Sequence, residues 1–165
     1  MRPKEVMVDL ARQVSSKKKK KKKSDAQLYL EQVEKQDAVI RNKLIEKQQW
    51  KEIALGITAN MDGERVQSSG TKNKMADAVA KCVDIETEID SLIDKLIDLK
   101  KEVTAVIEEV QSPTYYNLLH MRYIQYIPLK DIAEKWHTEY TNVTTAHGKA
   151  LKKVQEIRER MSNDG

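Results

Sequence analysis

Residues 78–110 read AVAKCVDIETEIDSLIDKLIDLKKEVTAVIEEV, and the fold turns on them. Ala78, Cys82, Ile85, Ile89, Leu92, Leu96, Leu99, Val103, Val106 and Val110 follow one another at steps of four and three without a break. Such spacing places them on one side of a helix, as an a/d seam sustained over more than four heptads. A helix of about 40 residues is roughly 60 Å long at ~1.5 Å per residue, and its apolar seam needs a cover of similar length. Ile93, Ile97 and Ile107 add apolar width beside the seam. That width predicts a homo-oligomer, most simply a dimer, through the 75–110 seam.

Upstream, Leu30, Val33, Ile40 and Leu44 step by three, seven and four, and Trp50, Ile53 and Ile57 continue the stripe. The step from Leu44 to Trp50 is six rather than seven, so the register drifts there. This predicts a helix from about residue 25 to about Thr58. Residues 58–73, TANMDGERVQSSGTKN, carry Gly63, Gly70, Ser68, Ser69 and Asn73 and are expected to be a loop. Residues 25–111 are therefore expected to form a long antiparallel helical hairpin, a coiled-coil arm.

Downstream, Ser112-Pro113 ends the arm and opens a new helix. Serine suits the N-cap, and proline suits the first helical position, where its missing N–H is not needed. Helices are expected over about 113–126, 129–136 and 140–160, with the turn His137-Thr138-Glu139 between the last two. A short helix, a tight turn and a longer helix make a helix-turn-helix arrangement. Ala133 is small enough for two helices to cross closely. His137 stands where glycine is usual and tolerates the left-handed conformation. Leu118, Leu119, Met121 and Ile124 are core candidates, and Ile132, Trp136, Val143, Leu151 and Val154 are expected to form the core of this module. The fold class is thus all-α, with a basic tail over 1–24, the arm over 25–111 and the helix-turn-helix module over 112–165.

Charge is divided unevenly. Residues 1–23 carry ten Lys/Arg against two Asp/Glu, residues 72–111 carry six against ten, and residues 112–165 carry eight against six. Both ends are basic and the middle is acidic, which suits termini that meet a polyanion. The run Lys17–Lys23 repels itself and is expected to be extended and to add a salt-sensitive, sequence-independent attraction to phosphates. Cys82 is the one cysteine, so no disulfide forms within the chain, and a reducing cytoplasm is expected. It reads as a small apolar residue on the seam. His120, His137 and His147 are not spaced as metal ligands, and no Gly-rich phosphate loop or nucleophile motif occurs. The expectation is a protein that is no enzyme, with no cofactor, no metal and no membrane span.

The segments Leu119-His-Met-Arg-Tyr, Asp131-Ile-Ala-Glu, Val143 and His147-Gly-Lys-Ala-Leu-Lys-Lys-Val154 resemble region 4 of bacterial sigma factors, without gaps from Leu129 to Val154. More broadly, residues 26–160 resemble a family of small prophage proteins of low-GC Gram-positive bacteria that join a helical region to a sigma-like helix-turn-helix. Arg65-Val-Gln-Ser-Ser-Gly70, Ala78-Val-Ala-Lys and His147-Gly148-Lys149-Ala150-Leu151 carry that likeness. The resemblance implies a phage transcriptional regulator of the late-gene activator type. The chain departs from the pattern at Glu139, where the recognition helix usually has a Ser or Thr cap, so Thr138 is expected to cap instead. Thr144 and Thr145 replace basic or larger polar residues, and Ala146 replaces a larger apolar one, its space left to Trp136.

In this arrangement the helix after the turn enters the major groove with its first residues toward the base edges. Tyr140, Thr141, Asn142, Thr144 and Thr145 are the expected base-facing residues. Asn pairs with adenine in a bidentate way, and Thr donates, accepts or touches the thymine methyl. Lys149, Lys152 and Lys153 are expected on phosphates, which position without specifying. Arg122 reads equally as a packing residue or a backbone contact. Duplex DNA is the expected partner, with RNA polymerase a further one for the acidic arm. Two alternatives stay open: a coiled-coil structural or adaptor protein, and a DNA-recognition subunit of phage packaging machinery.

Overall fold

The computed structural model describes residues 22–61 and 69–164. The expectations for residues 1–21, including most of the lysine run, and for residues 62–68, including Gly63, Arg65 and Ser68, lie outside the described residues. The described elements are all helical: α1 Asp25–Met61, α2 Ser69–Glu108, α3 Pro113–Leu119, a π-helical turn His120–Ile124, α4 Leu129–Lys135 and α5 Tyr140–Asn163. No strand occurs among the described residues. No helix among them is long and apolar enough to cross a membrane.

Helices α1 and α2 pair in opposite directions. The Tyr29 hydroxyl donates to Glu102 at 2.8 Å, the Gln36 amide to the Leu92 carbonyl at 3.4 Å, Lys43 meets Glu88 at 3.0 Å and Lys47 meets Glu86 at 2.7 Å. The α1 numbers rise as the α2 numbers fall. The seam lies between them: Ala78, Ile85, Ile89, Leu96, Val103, Val106 and Val110 are buried, with Leu30, Val33 and Ile40 of α1. Each fully buried aliphatic side chain contributes about 1.5–3 kcal/mol relative to exposure. The apolar seam is therefore covered by α1 of the same chain.

Three details depart from the sequence reading. First, helix continues to Met61 and resumes at Ser69, so the expected 58–73 loop is shorter at both ends. Isolated Gly or Ser costs at most about 1 kcal/mol in a helix, less than a long cooperative helix can absorb. Second, Leu44 and Ile53 are 50% and 47% exposed. The six-residue step takes Leu44 off the buried side, whereas Trp50 packs on the core of the long pair. Third, the end of the lysine run is tied down, because Lys23 contacts both carboxylate oxygens of Glu31 at 2.8 and 2.6 Å. Ser24 caps α1, its hydroxyl accepting from the Gln27 N–H at 3.2 Å.

The C-terminal helices fold against the far end of this pair. Ser112 caps α3 with Pro113 at its start, as expected. Leu118, Ile132, Ala133 and Val143 form a small buried cluster, with Met121, Trp136 and Ala146 packed on it. Leu151 and Val154 do not belong to it. With Ala150 and Ile157 they join Val103, Val106, Ile107, Val110, Leu119 and Tyr123 in the larger core. At 24 residues, α5 is long enough to cross α4 with its first turns and lie on the long pair with its last.

Two residues take left-handed backbone. His137 has φ 50°, and behind it the N–H of His137 donates to the Glu134 carbonyl and that of Thr138 to the Ala133 carbonyl. This pair of bonds closes α4 in a Schellman motif, where the left-handed residue is usually glycine. Tyr126, at φ 59°, turns the chain out of the π-helical segment. Its hydroxyl is buried without a hydrogen-bond partner among the described residues, and the Lys100 ammonium lies 5.7 Å from its ring centroid. An unpaired buried hydroxyl costs about 1–3 kcal/mol. Tyr126→Phe, which keeps the ring and removes that group, is expected to raise the unfolding free energy by about 1 kcal/mol in urea titration.

Candidate nucleic-acid interface

Helix α5 has two unlike faces. Val143, Ala150, Leu151, Val154 and Ile157 are buried on one. Thr141, Asn142, Thr145, Gly148, Lys149 and Lys152 are exposed on the other. Their spacing of three and four places them in a continuous stripe along successive turns. Two hydroxyls and an amide lie at its start and two lysines follow, neither paired among the described residues. Beyond them Glu156 and Glu159 turn the same face acidic, so the basic stretch is short.

The remaining predicted residues lie beside this stripe. Tyr140 is 52% exposed and sits on its flank. Thr144 is half-buried and its hydroxyl donates to the Thr141 carbonyl at 3.0 Å. Lys153 is exposed but held by Glu156 at 2.8 Å, and the hydrogen bond to that carboxylate raises the lysine pKa.

Thr138 does not cap α5. The cap residue is Glu139, whose side chain bonds no helix N–H. Instead the Thr138 hydroxyl accepts from the Asn142 side-chain amide at 3.2 Å. That bond engages the Asn142 amide nitrogen. Thr138 and Asn142 are four residues apart, a spacing from which the contact was legible. Ala133, Glu134, His137, Thr138, Glu139 and Asn142 line a shallow open groove in front of the turn. Its carboxylates belong to Glu134 and Glu139, which complement an exposed amino group and repel a phosphate. The exposed lysines Lys130 and Lys135 of α4 lie nearby in the chain, and the sequence reading gave them no role.

The other cations are engaged in packing. Arg122 donates to Glu34 at 3.0 Å and lies 5.3 Å from the Tyr123 ring centroid, which decides between its two readings in favour of packing. Arg158 lies 4.0 Å from the Tyr29 ring centroid, and Arg160 donates to Glu109 at 3.0 Å. Among the described residues no atom beyond its own stretch of helix lies within 4 Å of where a Gly148 Cβ would stand, so no other described helix approaches it.

Behind the stripe, the Tyr123 hydroxyl and His147 Nε2 are 2.7 Å apart, with their rings stacked at 5.8 Å. Burial, and then the nearby Arg122 charge, push the His147 pKa down to about 4. The ring is therefore neutral at pH 7. Burial also raises the Tyr123 pKa, so its hydroxyl keeps its hydrogen and donates to the bare Nε2. Among the described residues no group of three or more His, Cys, Asp and Glu is placed to hold a metal ion. No protein-family model, characterised protein or solved structure gives a significant match to this chain, so the interface is judged on its own geometry.

Proposed function

We propose that the chain is a sequence-specific duplex-DNA-binding protein of the cytoplasm, a transcriptional regulator of the prophage type that its sequence resembles. In this reading α4, the His137–Glu139 turn and α5 are a helix-turn-helix supported by α3, and α1 with α2 is a coiled-coil arm. The first turns of α5 enter the major groove. Thr141, Asn142 and Thr145 face base edges, and Lys149 and Lys152 reach phosphates. Tyr140 and Thr144 border this set, and Lys153 reaches a phosphate only by leaving Glu156. Glu139 and Glu134 favour a base that presents an amino group, such as cytosine, next to the one Asn142 reads. Contact between the acidic outer face of α2 and RNA polymerase belongs to the same reading.

One observation carries it: an exposed stripe of Thr, Asn and Thr followed by two unpaired lysines, on the helix that follows a tight turn. The test is to mix the protein with sheared fragments of its source genome at near-physiological salt and sequence what it retains. A few enriched loci are expected. Asn142→Ala/Thr145→Ala should weaken binding to them by about 2–5 kcal/mol, a loss of about 30-fold or more, and leave non-specific binding in place. Lys149→Gln should weaken all DNA alike and reduce the salt slope by about 1. Uniform retention that the double variant does not alter would exclude base reading by α5.

A further inference from the structure

A second stripe runs along α2 beside the buried seam. Val79, Val83, Glu86, Asp90, Ile93 and Ile97 also follow at steps of four and three and share one flank of the helix. Nothing among the described residues covers its apolar members, which are 46%, 56%, 40% and 46% exposed, and Leu44 of α1 joins them at 50%. Further along, the same flank is covered by the chain itself. Ile107 is fully buried there, and Lys100 lies at the Tyr126 ring. The bare stripe therefore continues a surface that already packs.

The stripe reads alike in both directions. Val79 and Ile97 lie nine residues either side of position 88, Val83 and Ile93 lie five, and Glu86 and Asp90 lie two. A two-fold axis at position 88 sets Val79 against the second copy's Ile97 and Val83 against its Ile93. That self-matching is what an isologous interface requires, and an unrelated partner would need no such mirror order. We infer that this flank of the long helix pair joins two copies of the chain, antiparallel, about a two-fold axis at position 88.

Charge and area agree with this partner. Glu86 is held by Lys47 at 2.7 Å, and Asp90 has no partner among the described residues. Arg41 has a side chain 58% exposed, paired with Asp37. It lies level with Asp90, since Lys43 meets Glu88 and Gln36 meets Leu92 on either side of it. At the centre Glu86 then faces the second copy's Asp90, and Arg41 and Lys47 of both copies lie among these carboxylates and supply the countercharge that lets them meet. Such a polar centre selects register, because a one-heptad slip would set carboxylates against valine or isoleucine. Five half-exposed aliphatic side chains leave on the order of 400 Å² of apolar surface per copy, about half of the ~800 Å² per partner in a standard interface, which is a usual apolar share.

The pairing does not depend on the DNA reading. Sedimentation equilibrium of the full chain in the micromolar range should return twice the monomer mass. Val83→Glu/Ile93→Glu sets carboxylate against carboxylate at both matched contacts and should sediment as a monomer with unchanged helical circular dichroism. Val83→Lys/Ile93→Glu sets lysine against glutamate at both contacts and should dimerise, whereas a parallel pairing would set like against like. A wild-type chain that stays monomeric, a doubly acidic variant that stays dimeric, or a lysine/glutamate variant that is monomeric overturns the inference. A monomer that still retains enriched DNA loci would overturn the pairing alone. A dimer that retains none would overturn only the DNA reading.

Discussion

Replacing Ile107 by alanine is expected to lower the unfolding free energy by about 2–5 kcal/mol, a large share of the stability of a domain this size. Ile107 is covered by more than its α1 partner. It lies on the flank of α2, is completely buried, and packs in the cluster that includes Leu119 and Tyr123 from the α3 and π-helical segment and Val154 from α5. Its truncation removes contacts from the long pair and from the C-terminal helices together, and the close-packed surroundings relax only in part. Ile97, on the same flank, is 46% exposed, and its truncation in dilute protein should cost well under half as much. Urea titration of both variants, followed by circular dichroism and by Trp136 and Trp50 fluorescence, checks the contrast. Equal losses at the two positions would mean that the C-terminal helices do not cover Ile107 in solution. A single transition seen by both probes is expected, because one core joins the long pair to α5.

The second large effect is a loss of stability in mild acid. His147 is neutral in the folded chain, its pKa lowered to about 4 by burial first and by Arg122 second, with Glu31 opposing. In the unfolded chain it takes a proton near pH 6.5. Between these values the unfolded state binds more protons, so stability rises with pH across the window. The contribution is complete above about pH 6.5 and falls away as pH drops toward 4, to a total of about 3 kcal/mol at most. Protonation also removes the acceptor of the Tyr123 hydroxyl. Glu31 works in the same sense lower down. Burial pushes its pKa up, but hydrogen bonds from Lys23 and Gln27 outweigh this and leave it lowered, so its contribution is lost only below the ordinary carboxylate range. The interval from pH 6.5 to 5 thus isolates the histidine. His147→Gln should flatten the dependence of the unfolding free energy on pH in that interval. A variant as steep as the wild type would show that the ring is not buried in its neutral form.

Much of the molecule is local in origin and was legible residue by residue. The unbroken four-three spacing from Ala78 to Val110 determines a long helix with one buried side. Ser112-Pro113 determines where the next helix starts, since a cap hydroxyl and a residue without an N–H act on the backbone beside them. His137 determines a left-handed turn for the same reason, and with it the exposed start of α5 that carries Thr141, Asn142 and Thr145. The stripe at the candidate interface was legible because helical period alone separates these residues from Val143 and Ala150. The hydroxyl of Thr144 and the ammonium of Lys153 were not, because each is held by a specific neighbour whose geometry periodicity does not report.

Beyond the pairing of the two long helices, what covers each buried side was decided only in three dimensions. Period shows that a residue faces inward and says nothing about its partner, which lies tens of residues away along the chain. Leu151 and Val154 carry the pattern of a helix-turn-helix core, yet they pack on the long pair, because α5 outruns the small cluster at Ala133. Arg122 finds Glu34, and His147 finds Tyr123, across sequence separations of 88 and 24 residues. Ile97 and Ile107 look alike in sequence, and one is half-exposed while the other is buried. The sequence by itself determined the helices, their caps and their inward faces, because those depend on neighbours within a few residues. The tertiary structure alone decided that Leu151 and Val154 pack on the long pair and that the C-terminal helices close its far end, because a buried face is satisfied by whichever complementary surface the whole chain can bring to it.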